Sequence, residues 1–433
     1  MTTSNDEDRR IRQIFESANQ AFSGGQAQAA ERMLQQAESE APAHPLVQNM
    51  VAGRLLRAGN LMGAKALLEQ AVDAEPSNPM LWLNLAGALR GLGHADAEMA
   101  ALDKLLKIEP LNVRALLQKG SLLEIRKDSR AAAAAYRVAL RIIPEGFEPP
   151  PQMRAILQHA KEAVEGNDRA LEVFVEERLE GLRARYADQP LDRFEGCLAT
   201  LLRKRRIFAQ QPTFMYFPRL APVEFYDRKD FPWLDSIEAA TDDIREELLS
   251  VLSDGPEVLA PYVSHPEGMA GRYQELNNSR RWGVYYFWRE GVPDKDNLAR
   301  CPRTAAALGA WPRCDVPGYS PSAVFSILDA KTRIPPHSGV SNTRLLVHLP
   351  LIIPPGCGFR VGAEVREWVP GKAFVFDDTM EHEAWNDSDV PRAVMIFDIW
   401  NPSLTAAERD MVRTLTVAVG EYYGTGTRHG DSL

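Results

Sequence analysis

Residues 323–402 read AVFSILDAKTRIPPHSGVSNTRLLVHLPLIIPPGCGFRVGAEVREWVPGKAFVFDDTMEHEAWNDSDVPRAVMIFDIWNP. Within this stretch AVFSIL, TRLLVHLPLII, GFRV, EVREWV, AFVFDD and AVMIFDIW are strand-like, and Gly, Pro, Asn and Asp separate many of them. A further run, WGVYYFW, occupies 282–288. The region from about 320 to 402 is therefore expected to be a compact all-β unit. Its strand count suits a jelly roll or a similar double-sheet barrel. Upstream, PTFMYFPRLAPVEFYDRKDFPWL at 212–234 is rich in aromatics and proline, and SIEAATDDIREELLSVL at 236–252 predicts a helix.

The first third has a different grammar. Pro42, Pro76, Pro110 and Pro144 lie 34 residues apart, a spacing that signals a repeat. Four windows follow: 11–44, 45–78, 79–112 and 113–146. Their eighth position is small (Ala18, Ala52, Ala86, Gly120). The twentieth holds Ala30, Ala64, Glu98 and Ala132, the twenty-fourth Leu34, Leu68, Leu102 and Tyr136, and the twenty-seventh Ala37, Ala71, Leu105 and Ala139. Apolar residues recur at helical spacing, and turns such as Ala58-Gly59-Asn60 split each window into two helices. The pattern resembles the tetratricopeptide repeat, an all-α solenoid whose groove commonly binds a peptide or protein. A spacer or a dimerisation element is the alternative.

Pro149-Pro150-Pro151 ends the repeats, and 147–209 is expected to be a helical bridge ending in the basic cluster Arg203-Lys204-Arg205-Arg206, read as a solvated helix end. The C-terminal domain is assigned to 210–420, with its core at about 320–402. The tail after 414 predicts a short helix and a frayed end, and His429 there is not expected to be a ligand.

Composition narrows the function. Hydrophobic residues make up 45% and charged residues 25% of the 433, so a folded chain is expected. The net charge of −9 disfavours a general nucleic-acid binder. No apolar run approaches the ~20 residues of a membrane helix. The first residues, MTTSNDEDRRIRQ, lack a secretory signal. Cys197, Cys301, Cys314 and Cys357 contain no CxxC pair. These signals give a cytoplasmic expectation with reduced thiols.

Three of the eight histidines, His337, His348 and His382, fall inside the β unit. His337 and His382, 45 residues apart and each at a strand end, can meet at one mouth of a jelly roll. Paired imidazoles of this kind commonly hold Fe(II). The carboxylate usual two residues after the first histidine is replaced by Gly339. Asp377, Asp378, Glu381, Glu383 or water could substitute, or the histidines could simply be hydrogen-bonded in the fold. Arg392 lies in the otherwise apolar strand RAVMIFDIW and, if inward, needs an anion. With the Ser326 hydroxyl it could hold the distal carboxylate of a dicarboxylic co-substrate. A solvent-facing arginine and a core hydroxyl are the alternatives.

The stretch from PHSGVSNTRLLVHLPL to RAVMIFDIWNP resembles the aspartyl/asparaginyl β-hydroxylase family of Fe(II)- and 2-oxoglutarate-dependent dioxygenases. The likeness is dense over about 322–402 and weak back to about 210. Repeats ahead of such a domain are a known arrangement in that family. The resemblance implies a two-histidine iron site, His337 and His382, with no carboxylate ligand. It makes Asp378 a carboxylate that orients a metal-bound water or histidine. Ser326 and Arg392 would clamp the C5 carboxylate of 2-oxoglutarate, and His348 would contact its C1 end. Arg344 would bind an acidic substrate. The chain departs from the animal enzymes at Leu346 and Gly283, where they carry arginines. The implied reaction is hydroxylation of an Asp- or Asn-like side chain in a protein or peptide that the repeat groove recruits. A small-molecule or lipid-linked substrate, a repeat adaptor with a ligand-sensing β domain, and a metal cupin with isomerase or hydrolase chemistry are the competing readings.

Overall fold

The computed structural model describes residues 2–144, 146–266 and 271–423. The chain divides into two compact units between Pro190 and Leu191.

The first unit is helical. Its hairpins are α1 (Thr2–Ser23) with α2 (Ala27–Glu40), α3 (Pro45–Arg57) with α4 (Leu61–Ala74), α5 (Pro79–Gly91) with α6 (Ala95–Ile108), and α7 (Val113–Ile125) with α8 (Ser129–Ile142). Each hairpin matches one 34-residue window. Asn60, Asn78, Asn112 and Asp128 cap α4, α5, α7 and α8 through side-chain oxygens that accept backbone N–H groups. The small eighth-position residues lie where the helices cross, and Ala52 and Ala86 are fully buried. In the last hairpin the ring of Tyr136 fills the space a methyl on Gly120 would take, 2.3 Å away. Glu98 breaks the twentieth-position pattern, yet it is buried and accepts from Gln118 Nε2 at 2.8 Å.

Beyond the triple proline, α9 (Pro151–Arg185) runs for 35 residues. It buries only Leu157 and Ala160, which join Tyr136 and Ala139 of α8 in one apolar cluster. Among the described residues no helix is long and apolar enough to cross a membrane.

The second unit opens with α10 (Asp192–Leu201). The basic cluster follows it directly, and Arg205 pairs with Glu224 at 2.6 Å. Helices α11 (Leu234–Ala239) and α12 (Thr241–Leu252) come next. The strands are β1 (Ala260–Pro261), β2 (Trp282–Arg289), β3 (Val292–Pro293), β4 (Ala323–Leu328), β5 (Thr332–His337), β6 (Arg344–Ile352), β7 (Cys357–Val361), β8 (Glu364–Arg366), β9 (Phe374–Phe376), β10 (His382–Asn386) and β11 (Arg392–Trp400). Between β3 and β4 lie α13 (Lys295–Arg300) and α14 (Pro302–Ala307), and α15 (Ala406–Tyr423) closes the described chain. The expected frayed end and His429 lie outside the described residues.

A seven-stranded antiparallel sheet has the order β1-β2-β4-β11-β6-β9, with β3 beside β2, and a four-stranded one has the order β5-β10-β7-β8. One face of the large sheet carries Phe325, Val347, Met395 and Phe397 against Ile244 and Leu248 of α12. The other face carries Val324, Leu346, Val394 and Ile396 against Ile334, Phe359, Val361 and Ala384 of the small sheet. Both faces of β4, β6 and β11 are thus buried, which explains their nearly unbroken apolar sequences. β5 contains Pro335 and Pro336 and is an edge strand, where missing N–H donors cost no ladder bond.

Candidate active site

Side chains alternate across a strand. On the inter-sheet face of the large sheet, that period brings Ser326 from β4, Arg344 and His348 from β6, and Arg392 and Asp398 from β11 to one side. The small sheet supplies the histidines. His337 ends β5, His382 begins β10, and the two are Cα partners in the ladder. Their ring centroids are 4.0 Å apart. His337 Nδ1 donates to the Pro335 carbonyl at 2.8 Å, and His382 Nδ1 donates to the Met380 carbonyl at 3.0 Å. A carbonyl can only accept, so each Nδ1 carries a proton, and in the neutral ring Nε2 is then the nitrogen left to meet a metal. That is the tautomer a metal-binding imidazole needs. Burial, and then the neighbouring His337, hold His382 well below the usual histidine range, so it is neutral.

Of the four carboxylates considered beside the histidines, three are engaged. Asp377 accepts from Gln210 Nε2 at 2.5 Å and from Thr379 Oγ1 at 2.6 Å. Glu381 and Glu383 both pair with Arg360. Asp378 differs. It is fully buried, and among the described residues neither carboxylate oxygen has a hydrogen-bond partner. Burial pushes it up to about 7 against the pull of Arg344. Its Oδ2 lies 2.1 Å from where a Cβ on residue 339 would sit, and the Gly339 N–H donates to the Asp378 carbonyl at 2.5 Å. Gly339 is glycine because the Asp378 carboxylate occupies its side-chain space.

Arg344 is 2% exposed and lies between two buried acids. It donates to Asp398 Oδ2 at 3.2 Å and stands 3.6 Å from Asp378 Oδ2. Burial works against its charge, but Tyr319, Asp378 and Asp398 outweigh that penalty. Asp398 also accepts the Ser322 N–H at 3.0 Å, and burial raises it to about 7. The arginine that the resemblance assigns to substrate is thus committed to a carboxylate of its own chain. Leu346, one residue pair along the same face, adds an apolar wall.

A narrow pocket runs from His337 and His382 to Arg392, passing Ser326, Leu346 and His348. Arg392 is 1% exposed, and its Nε and Nη1 have no partner. Among the described residues no carboxylate pairs with it. Its guanidinium lies 4.4 Å from the centroid of the Trp368 ring. Burial lowers Arg392 to about 10. His348 Nδ1 is also unpartnered, and burial together with Arg392 keeps that ring neutral. Ser326 Oγ accepts from Trp282 Nε1 at 3.2 Å, leaving its own O–H to donate. A close pair of imidazoles at one end and a buried cation at the other suit a divalent metal and an acidic ligand.

The residues that sequence reasoning singled out fall into two groups. His337, His382, Ser326, His348 and Arg392 line one pocket. Asp378 and Arg344 belong to the adjoining buried charge cluster. The sequence reading missed Asp398, Trp282, Tyr262 and Trp368. For Asp398, a lone carboxylate inside IFDIW was the available signal. For the aromatics there was none.

Residues 238–402 match the family model for aspartyl/asparaginyl beta-hydroxylase, and 52–110 and 100–147 match a tetratricopeptide repeat model. Over 189 residues the chain is 33% identical to the ornithine lipid ester-linked acyl 2-hydroxylase of Rhizobium tropici, covering 43% of this chain and 63% of that protein. It is 31% identical over 168 residues to human aspartyl/asparaginyl beta-hydroxylase, covering 38% of this chain and 21% of that protein. Human aspartate beta-hydroxylase domain-containing protein 2 is 30% identical over 203 residues, covering 46% and 53% respectively. The match spans less than two thirds of each of these relatives. Residues 238–402, which contain both histidines and the whole pocket, thus match the aspartyl/asparaginyl β-hydroxylase family model, and the tetratricopeptide repeat matches precede them in this chain.

Proposed function

We propose that this chain is an Fe(II)- and 2-oxoglutarate-dependent hydroxylase. The observation that carries the reading is one pocket with two adjacent imidazoles, each anchored at Nδ1 by a carbonyl, at one end and the unneutralised Arg392 at the other. His337 and His382 would hold the iron, which supplies oxygen activation when bound. The overall reaction converts a substrate C–H, O2 and 2-oxoglutarate into C–OH, succinate and CO2. Arg392 and the Ser326 hydroxyl bind the distal carboxylate and fix the length of the co-substrate. His348, neutral and unpartnered at Nδ1, lies along the wall between the two ends. Leu346, Phe359, Phe376 and Ile396 keep water from the co-substrate. Asp378, set against Gly339 and ion-paired with Arg344, would orient a metal-bound water.

The substrate is an Asp- or Asn-like side chain of a protein or peptide, recruited by the repeats. An acidic side chain would have to draw Arg344 from Asp398. A second reading, an acyl chain, is favoured by that engaged arginine, by Leu346 and by the likeness to an acyl 2-hydroxylase. Succinate formation by the full chain with Fe(II), ascorbate and air tests the activity, with His337→Ala as control. Turnover absent in the wild type, together with no binding of 2-oxoglutarate to the metal-loaded protein, refutes it. Stimulation by Asp-containing peptides or by acyl lipids separates the two substrate readings.

A further inference from the structure

One carboxylate of the buried charge cluster has no part in the proposed chemistry. Asp398 lies on the inter-sheet face of β11, fully buried and beyond the residues that line the pocket. Three bonds fix it. Its N–H donates to the Ser322 carbonyl at 3.2 Å, its carbonyl accepts from Trp311 Nε1 at 2.8 Å, and its Oδ2 accepts the Ser322 N–H at 3.0 Å. The same Oδ2 accepts from Arg344 Nη1 at 3.2 Å. Arg344 has a second acid within reach, yet it makes no hydrogen bond to it. Its Nη2 stands 3.6 Å from Asp378 Oδ2, an ion pair longer than a hydrogen bond, and among the described residues that Nη2 has no hydrogen-bond partner.

A buried arginine facing a lone carboxylate closes a two-pronged fork on it. Such a fork would occupy the acceptor oxygens of Asp378 and draw its carboxylate toward Arg344. Here one prong is spent on Asp398, and the Asp378 carboxylate keeps to the side-chain space of Gly339, two residues past His337. We infer that Asp398 is a positioning residue for the metal site: by holding Arg344 at ion-pair distance, it leaves the Asp378 oxygens to the metal-bound water. Asp398 thus acts from β11, through Arg344 of β6, on the carboxylate that follows β9.

This inference rests on the proposed reaction, and the test keeps the two apart. Calorimetry of the full chain would follow Mn(II) binding at pH 8, above the value to which burial raises Asp398, and then 2-oxoglutarate binding at saturating Mn(II). Asp398→Ala should weaken Mn(II) about tenfold, the low end of what removing a residue that supports a metal site costs. It should leave 2-oxoglutarate affinity unchanged, because Arg392 and Ser326 are untouched. In an Asp378→Ala background the same substitution should cost Mn(II) binding nothing, since its effect passes through Asp378. Should Asp398→Ala not fold, Asp398→Asn, of the same shape without the charge, takes its place in the cycle with the same sign expected. A residue that only supports the fold would weaken both ligands or neither. Unchanged Mn(II) affinity, an equal loss for both ligands, or an undiminished loss in the Asp378→Ala background overturns the inference while the function stands. A wild type that binds no Mn(II), or whose Mn(II) binding survives His337→Ala, overturns both.

Discussion

Position 339 offers a test of the site that runs against intuition. A designer seeking a third metal ligand would place a carboxylate there, two residues after His337. The structure argues the reverse. A Cβ on residue 339 would lie 2.1 Å from Asp378 Oδ2 and 2.2 Å from its Cγ. Asp378 is fully buried, and its backbone carbonyl is fixed by the Gly339 N–H, so the carboxylate has little room to retreat. Overpacking of this kind costs about 1–3 kcal/mol. For a unit of this size that is roughly 3–10 °C in melting temperature. Gly339→Ala should show that loss. Gly339→Asp should exceed it, because a third buried acid would face a cluster in which Arg344 already serves Asp378 and Asp398. Seven of the eight tryptophans lie in the C-terminal unit, Trp82 excepted, so fluorescence-detected melting reads the right region. The decisive comparison is a double-mutant cycle with Asp378→Ala, which removes the obstructing group. The cost of Gly339→Ala should fall by more than half in that background. An equal cost in both backgrounds, or wild-type melting of Gly339→Ala alone, refutes the argument.

Other outcomes follow from the same coordinates. Arg392→Leu removes a buried cation that lies over the Trp368 ring and has no carboxylate partner among the described residues, so the ligand-free protein should be unchanged or stabilised by up to ~3 kcal/mol in denaturant melts, while 2-oxoglutarate binding is lost; marked destabilisation would mean the guanidinium has an anionic partner after all. Gly120→Ala should destabilise the repeats through the Tyr136 ring, and Tyr136→Leu, the residue type of the other three windows, should relieve it in helix-detected melts. Asp398 has a folded pKa of about 7, above its unfolded value near 3.9. Between those values the folded state binds more protons, so this group's contribution to stability falls as pH rises from about 4 to 7. The wild-type minus Asp398→Asn stability difference should therefore decline across that window; a flat difference would contradict the raised value.

The repeats were legible because a fixed 34-residue spacing survives single exceptions such as Glu98, whose burial is balanced by Gln118 from a neighbouring helix. The β unit was legible as strands, but which residues share a face was not. β4, β6 and β11 are apolar on both sides, so alternation leaves little hydropathy signal, and Ser326, Arg344, His348 and Arg392 stood out against it. β5 hid behind its two prolines, which are tolerated at a sheet edge. Asp398, Trp282 and Tyr262 act through partners far away in sequence, such as the Trp282–Ser326 bond across 44 residues, and local pattern does not record such pairing.

The double burial of β11 also makes its nine residues behave like a reading frame. Odd positions from 393 to 399 face the α12 side, and even positions from 392 to 398 face the pocket. A one-residue deletion ahead of Arg392 that kept the ladder pairing would turn every side chain over. Arg392 and Asp398 would enter the apolar layer under α12, while Met395 and Phe397 would fill the pocket between the sheets. Substitutions in this strand are graded injuries, whereas a change in its length erases packing and chemistry together, so natural length variation should be confined to the turns on either side of it.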